Sequence, residues 1–142
     1  MKRLKFILIP PLSGVFAIAI YTPVGHASSF VLPSFSPPLY LLFLIWTACL
    51  FLMGLSSSMI SDINRRYLFY LVLAAVFLWP VILFSLNNIL PAFLLSVLII
   101  LLITDLALSF GEENIKASLI LIPVIIWAVF CSCTNLAVFL LN

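Results

Sequence analysis

Charge is what this chain most conspicuously lacks. Among 142 residues there are six basic side chains, four acidic ones and one histidine, so 7% of the sequence is charged against 66% hydrophobic. A domain of this size has too little interior to hide so much apolar surface from water. A water-soluble globular fold is therefore excluded. Glycine is also scarce, and four residues form no glycine-rich phosphate loop. Cysteine and histidine are too few for a metal centre: Cys49, Cys131 and Cys133 stand with a lone His26. Cys131 and Cys133, two apart on a helix, point to different faces, which suits neither zinc nor a local disulfide. No nucleophile comes with a base and an orienting group, and no two acids share an apolar run for proton-coupled exchange. Six basic residues that topology already accounts for give no basis for nucleic-acid binding. No catalytic residue, metal site or required cofactor follows from the sequence.

What is present is apolar sequence in membrane-length runs, with a mean hydropathy of +1.41. No charge lies between Lys5 and Asp62, between Arg66 and Asp105, or after Lys116. A hydrocarbon core about 30 Å thick takes roughly 20 helical residues per crossing. A span that is not part of a closed barrel must be helical, because lipid satisfies no backbone group. The run from Leu94 to Ile103 lacks the apolar and polar alternation of a barrel strand. The expected fold is thus an all-α integral membrane protein, a single domain over residues 1–142 with five transmembrane helices at about 6–21, 39–59, 67–86, 90–110 and 116–140. Residues 22–38, rich in proline and serine, form a loop that cannot be helical throughout. The third and fourth spans make a hairpin around Asn87-Asn88, with Pro91 in the first turn of the returning helix. Gly111-Glu112-Glu113-Asn114 is expected to end it.

Five spans place Lys2, Arg3, Lys5, Arg65, Arg66 and Lys116 on one face. The positive-inside rule makes that face cytoplasmic, with the N-terminus inside and the C-terminus across the membrane. Four or six spans would scatter these residues. The basic start, the apolar run and Gly25-His26-Ala27 also resemble a secretory signal. Pro10-Pro11 interrupting the run, and Tyr21 at the expected interface, argue for a retained helix.

Trp46, Trp79 and Trp127 lie inside spans, whereas membrane tryptophans usually collect at the interface. At 1.5 Å per residue, Trp46 is expected roughly 12 Å and Trp79 roughly 10 Å below the outer ends of their helices, with Trp127 near the midplane. Helical spacing extends each into a stripe: Trp46, Leu50 and Met53; Val76, Trp79 and Leu83; Trp127, Cys131, Thr134 and Asn135. Such walls suit a large, flat, apolar ligand in the outer half of the bilayer. Stripes of this kind also serve simply as helix packing. The loop residues Pro33, Ser34, Phe35, Pro37 and Pro38 form a stiff lid over the cavity. Asp105 is the one acid within a span, shallow enough to reach the interface or pair with Lys116. Asn135 and Asn142 suit interhelical hydrogen bonds. His26 could ligate a haem iron axially, though alone in a loop it suits a solvated position.

The run Pro33-Ser34-Phe35-Ser36-Pro37-Pro38, followed by Trp46-Thr47 and Met53-Gly54, resembles the signature of the tryptophan-rich sensory protein, or peripheral benzodiazepine receptor, family of translocator proteins. Trp79-Pro80 with Phe84 is similar to that family's third-helix motif, and Pro123, Trp127, Phe130, Asn135 and Asn142 to its fifth-helix pattern. The resemblance covers about residues 30–142. It implies a five-helix bundle, often a homodimer, that binds porphyrins, sterols and synthetic aromatic ligands beneath the loop after the first helix. Porphyrin or haem is then a ligand, and the partners are a tetrapyrrole or sterol and the lipid bilayer. It also links the tryptophans matching Trp46 and Trp127 to light-dependent porphyrin breakdown, and places the one matching Trp79 near the ligand. Leu32, Tyr40, Leu50, Val76 and Val124 stand where the family usually has Lys, Trp, Tyr, Asn and Tyr. Those losses remove polar handles that fix ligand orientation. The family's sterol motif, weak in any protein, is missing from residues 134–142, which contain neither Tyr, Lys nor Arg. Three readings follow: a receptor, sensor or translocator for a hydrophobic planar ligand; a Trp-dependent porphyrin-degrading enzyme; and a structural scaffold subunit with a packed core.

Overall fold

The computed structural model describes residues 7–12, 14, 30–86 and 88–142, and all regular structure among them is helical. Helix α1 is described over residues 7–12. Helices α2 (Leu39–Ser58), α3 (Ile63–Pro80), α4 (Ile89–Glu113) and α5 (Ile115–Leu141) follow, with a π-helical stretch, Val81–Ser85, extending α3. Among the described residues, four helical segments are long and apolar enough to cross a membrane: Tyr40–Ser58, Ile63–Phe84, Ile89–Glu113 and Ile115–Leu141. Most of the expected first span 6–21, the loop before Phe30, His26 and Asn87 lie outside the described residues.

The helix ends follow local chemistry. Pro38 is extended (φ −58°, ψ 148°), and its carbonyl accepts from Leu41 and Leu42 N–H. It therefore stands just outside α2, where its missing N–H costs nothing. Asp62 caps α3, its carboxylate accepting from Asn64 N–H at 2.8 Å. The helix thus begins at Ile63 rather than 67, and Arg65 and Arg66 lie within its first turns. The expected break at 111–114 shrinks to Asn114 alone. Asn114 N–H still donates to Phe110 O, so 111–113 stay helical, and its side chain accepts from Lys116 N–H to start α5.

Helix α5 packs on α4 and α2, and α4 packs on α3. Between α2 and α3 the backbones stand apart, and the ring of Trp46 reaches across to Phe77, edge to face at 5.9 Å. The two halves of the bundle differ as a result. Toward the α2–α3 and α4–α5 turns, Phe69, Leu106, Phe110, Leu121 and Ile60 are fully buried. Toward the other end the bundle opens into cavities. The outer faces carry exposed Leu44, Leu71, Leu98, Leu101, Ile126 and Leu140, as expected of helices solvated by lipid. In that solvent, packing and hydrogen bonds rather than water exclusion hold helices together. Ser56 Oγ donates to Ala117 O at 2.7 Å, joining α2 to α5. Ser132 donates to Ser96 across α4 and α5 at 3.0 Å, while Ser96 Oγ donates to Phe93 O.

The turn ends are clasped by charge. Arg65 pairs with Glu112 at 2.9 Å and lies 3.4 Å from Asp62 and 3.8 Å from Glu113. Glu113 in turn accepts from Ser61 and Asp62 N–H, and Arg66 donates to Ile60 O. Asp105 is exposed on α4 and forms no ion pair with Lys116. About 12 Å of helix separates it from Glu113.

Candidate functional site

The open half of the bundle holds three adjoining cavities. The first, about 60 Å³, takes Trp46, Cys49, Leu50 and Met53 from α2 and Val76 and Trp79 from α3. Helix α4 adds Ser96, Ile99 and Ile103, and α5 adds Val124, Trp127, Ala128 and Cys131. The spacing of α2 and α3 creates it, because four helices close a ring there with only side chains bridging one gap. Its single hydroxyl wall group, Ser96, is already bonded to Ser132 and Phe93. Helix α1 covers part of this wall: a Cβ on Gly14 would collide with Leu50 Cδ1 and come 3.6 Å from the Trp46 ring.

A second cavity of about 90 Å³ lies toward the loop, under Phe30, Leu32, Ser36 and Pro37. Trp79, Leu83 and Phe84 wall one side, and Thr134, Asn135 and Val138 the other. A third, about 60 Å³, runs between Leu42, Phe43, Trp46, Pro80 and Trp127. Trp79 and Cys131 border all three cavities, and Trp46 and Trp127 border the first and third.

Seven of the ten residues expected in the stripes therefore line the first cavity; Leu83, Thr134 and Asn135 lie in the second, about one turn further along their helices. The sequence reading missed the α4 wall. Ser96, Ile99 and Ile103 fall at three- and four-residue spacing on one face, but in a helix apolar on all sides that spacing singles out no inner face. Of the lid residues, Pro37 lines the second cavity, Pro33 is buried, and Ser34 and Pro38 are exposed. Phe35 packs edge-on against Phe130 at 6.4 Å, and Phe130 stacks on Trp127 at 5.2 Å, so an aromatic row runs from loop to cavity.

The loop is also tied by backbone. The Asn142 side chain accepts from Val31 N–H at 2.9 Å and donates to Val31 O at 3.1 Å, the two-point pairing of an adjacent strand. Asn142 thus fastens the loop to the end of α5 rather than joining two helices. Asn135 makes no such bond. It is 4% exposed, yet its Nδ2 has no acceptor, and the same holds for Trp79 Nε1 and Trp127 Nε1. Buried donors without partners are uncommon and costly. Among the described residues no group of three or more histidine, cysteine or acidic side chains could hold a metal ion.

A chain of long apolar helices, with an aromatic-walled hollow in one half of the bundle, is an integral membrane protein. The model of the TspO/MBR family matches residues 6–141. The chain is 32% identical over 116 residues to the Tryptophan-rich protein TspO of Archaeoglobus fulgidus, covering 78% of this chain and 75% of that one. It is 27% identical over 132 residues to Protein CrtK of Rhodobacter capsulatus, covering 87% and 82%. This chain belongs to the TspO/MBR family.

Proposed function

We propose that this protein is a membrane receptor, sensor or translocator that takes a hydrophobic planar ligand, such as a tetrapyrrole or sterol, between its four described long helices and the loop above them. The observation that carries this reading is the meeting of Trp46, Trp79 and Trp127 on one apolar hollow, with an aromatic row leading to it from the loop. Indole faces stack on planar rings, and each such contact is worth about 0.5–1.5 kcal/mol beyond area. Family membership favours a receptor-like role over catalysis. The proposal includes a single domain of five spans, the first running through α1, with the N-terminus in the cytoplasm. It also includes a homodimer, on family resemblance.

The test is quenching of tryptophan fluorescence by a tetrapyrrole panel in detergent. Trp46→Phe and Trp127→Phe should each weaken binding several-fold while the melting temperature of the ligand-free protein barely moves. Lower ligand-free stability with intact affinity would favour a scaffold with a packed core. Trp46 and Trp127 share two of the three cavities, which keeps tryptophan-dependent porphyrin breakdown as the second reading. Products found under light but not in the dark would establish it.

A further inference from the structure

The second cavity differs from the other two in its polar wall, and the polarity there is one-sided. Asn135, 4% exposed, lines it with an amide Nδ2 that has no acceptor. Trp79, also in its wall, has an indole N–H without an acceptor. An asparagine amide can turn to present either end, but an indole can only donate, so the indole sets the sign of what would satisfy the pair. Ser36 Oγ, likewise buried and unpartnered, serves as either donor or acceptor. Thr134 contributes little, since its hydroxyl donates to Phe130 O of its own helix. Leaving a buried donor unmet is a standing cost to the ligand-free protein. A ligand acceptor placed there removes that cost.

Charge decides which acceptor. None of the residues around this cavity is cationic. The described basic residues, Arg65, Arg66 and Lys116, stand at the far ends of α3 and α5. Lys116 is 19 residues from Asn135, roughly 28 Å along the helix. An ionised carboxylate drawn into this apolar space would have no counter-charge among the described residues, a heavy penalty at low dielectric. A neutral carbonyl carries the same lone pairs without it.

Resting on the planar-ligand reading, we infer that the loop-side cavity is an acceptor subsite, in which Asn135 and the Trp79 indole N–H hydrogen-bond an uncharged carbonyl, ester or amide group on the ligand's edge. The ring system stacks among the tryptophans, and the subsite selects which rings are held.

The experiment compares three porphyrins of similar ring area by fluorescence quenching in a detergent without carbonyl groups: protoporphyrin dimethyl ester, the free diacid, and octaethylporphyrin, which has no peripheral acceptor. The native chain should bind the ester about tenfold more tightly than octaethylporphyrin, a hydrogen bond's worth of free energy, and more tightly than the diacid. In Asn135→Leu, similar in size and without donors, the ester's advantage should fall to about twofold. The same variant should melt no lower than native without ligand, because it removes an unmet buried donor. A diacid preferred over the ester, or an ester advantage unchanged by Asn135→Leu, would overturn the inference. Reduced ligand-free stability in Asn135→Leu would also overturn it, by showing that the amide is structural. Ester-linked phosphatidylcholine competing where its ether-linked analogue does not would give the subsite to a bilayer lipid and overturn the ligand assignment. If octaethylporphyrin binds while the ester shows no advantage, the subsite alone fails. If none of the three binds, the planar-ligand reading fails with it.

Discussion

Replacing Asn142 with alanine should free the loop from the bundle. Its amide makes two hydrogen bonds to the Val31 backbone, at 2.9 and 3.1 Å. Each is partly open to solvent, so about 1 kcal/mol apiece is a fair net value, and losing both shifts loop release by about 2 kcal/mol, a factor of roughly 30. The Phe35 contact with Phe130 remains and sets how far the loop then moves. Hydrogen exchange reads this directly, because the Val31 amide donates to the side chain being removed. Its protection should fall roughly 30-fold, with Ser36 N–H, bonded within the loop to Pro33 O, affected less. The release rate of a bound tetrapyrrole should rise in parallel. Asn142 Nδ2 also lies 2.8 Å from Val138 O, so fraying of α5 is the competing explanation. Asn142→Asp separates the two: it keeps an acceptor for Val31 N–H, loses both donor bonds, and should hold the loss of Val31 protection to about fivefold, one hydrogen bond's worth. Unchanged Val31 exchange in Asn142→Ala would refute the latch. Faster exchange with unchanged ligand release would leave the latch but deny it any gating role.

Three further outcomes are expected. A reporter fused after Asn142 should be active only outside the cytoplasm, and cytoplasmic activity would reject the five-span orientation. Ser56→Ala, which removes the buried bond to Ala117 O, should lower stability in detergent by about 0.5–1.5 kcal/mol, and an unchanged unfolding midpoint would show that the bond contributes nothing. Glu113→Ala leaves Ser61 and Asp62 N–H without their acceptor; it should cost about 1 kcal/mol, moderated by solvent at this exposed turn, and the loss should shrink in high salt.

The four described long helices were legible because charge placement and span length are nearly one-dimensional. Gaps between Lys5 and Asp62, and between Arg66 and Asp105, bound the apolar runs whatever the packing. Helix ends were less so. Whether the break after α4 takes four residues or one depends on Asn114 serving both helices at once, through its N–H to Phe110 and its side chain to Lys116 N–H. The tryptophan stripes could be read from spacing within each helix. The α4 wall could not be chosen in that way, since Ser96, Ile99 and Ile103 sit in a helix apolar on all sides, where periodicity marks no inner face. Leu83, Thr134 and Asn135 line the adjoining hollow rather than the first, because a stripe gives direction but not where one hollow ends. The π-helical stretch Val81–Ser85 shifts that end of α3 out of simple helical phase. Nor does composition tell a bonded asparagine from an unmet one: Asn142 and Asn135 differ only in what their neighbours offer.

The volumes constrain how any planar ligand could enter. Hollows of about 60, 90 and 60 Å³ are each far below the roughly 300 Å³ at which pockets begin to hold sizeable ligands. A tetrapyrrole must therefore merge them, and Trp79 and Cys131 are the walls common to all three. Trp79 is the larger, and it stands where α3 is weakest. Pro80 supplies no N–H to the helix, and the following turns are π-helical, closing through Leu86 N–H to Val81 O. Such stretches are strained relative to an α-helix and recur at functional sites. The Trp79 ring is braced edge-on by Phe84 of that same stretch at 6.1 Å, so a shift of the π segment carries both rings together. The opposite half is filled by Phe69, Phe110, Leu106 and Leu121, all fully buried. Opening is therefore expected first at the loop-side end of α3, beneath the segment that Asn142 holds.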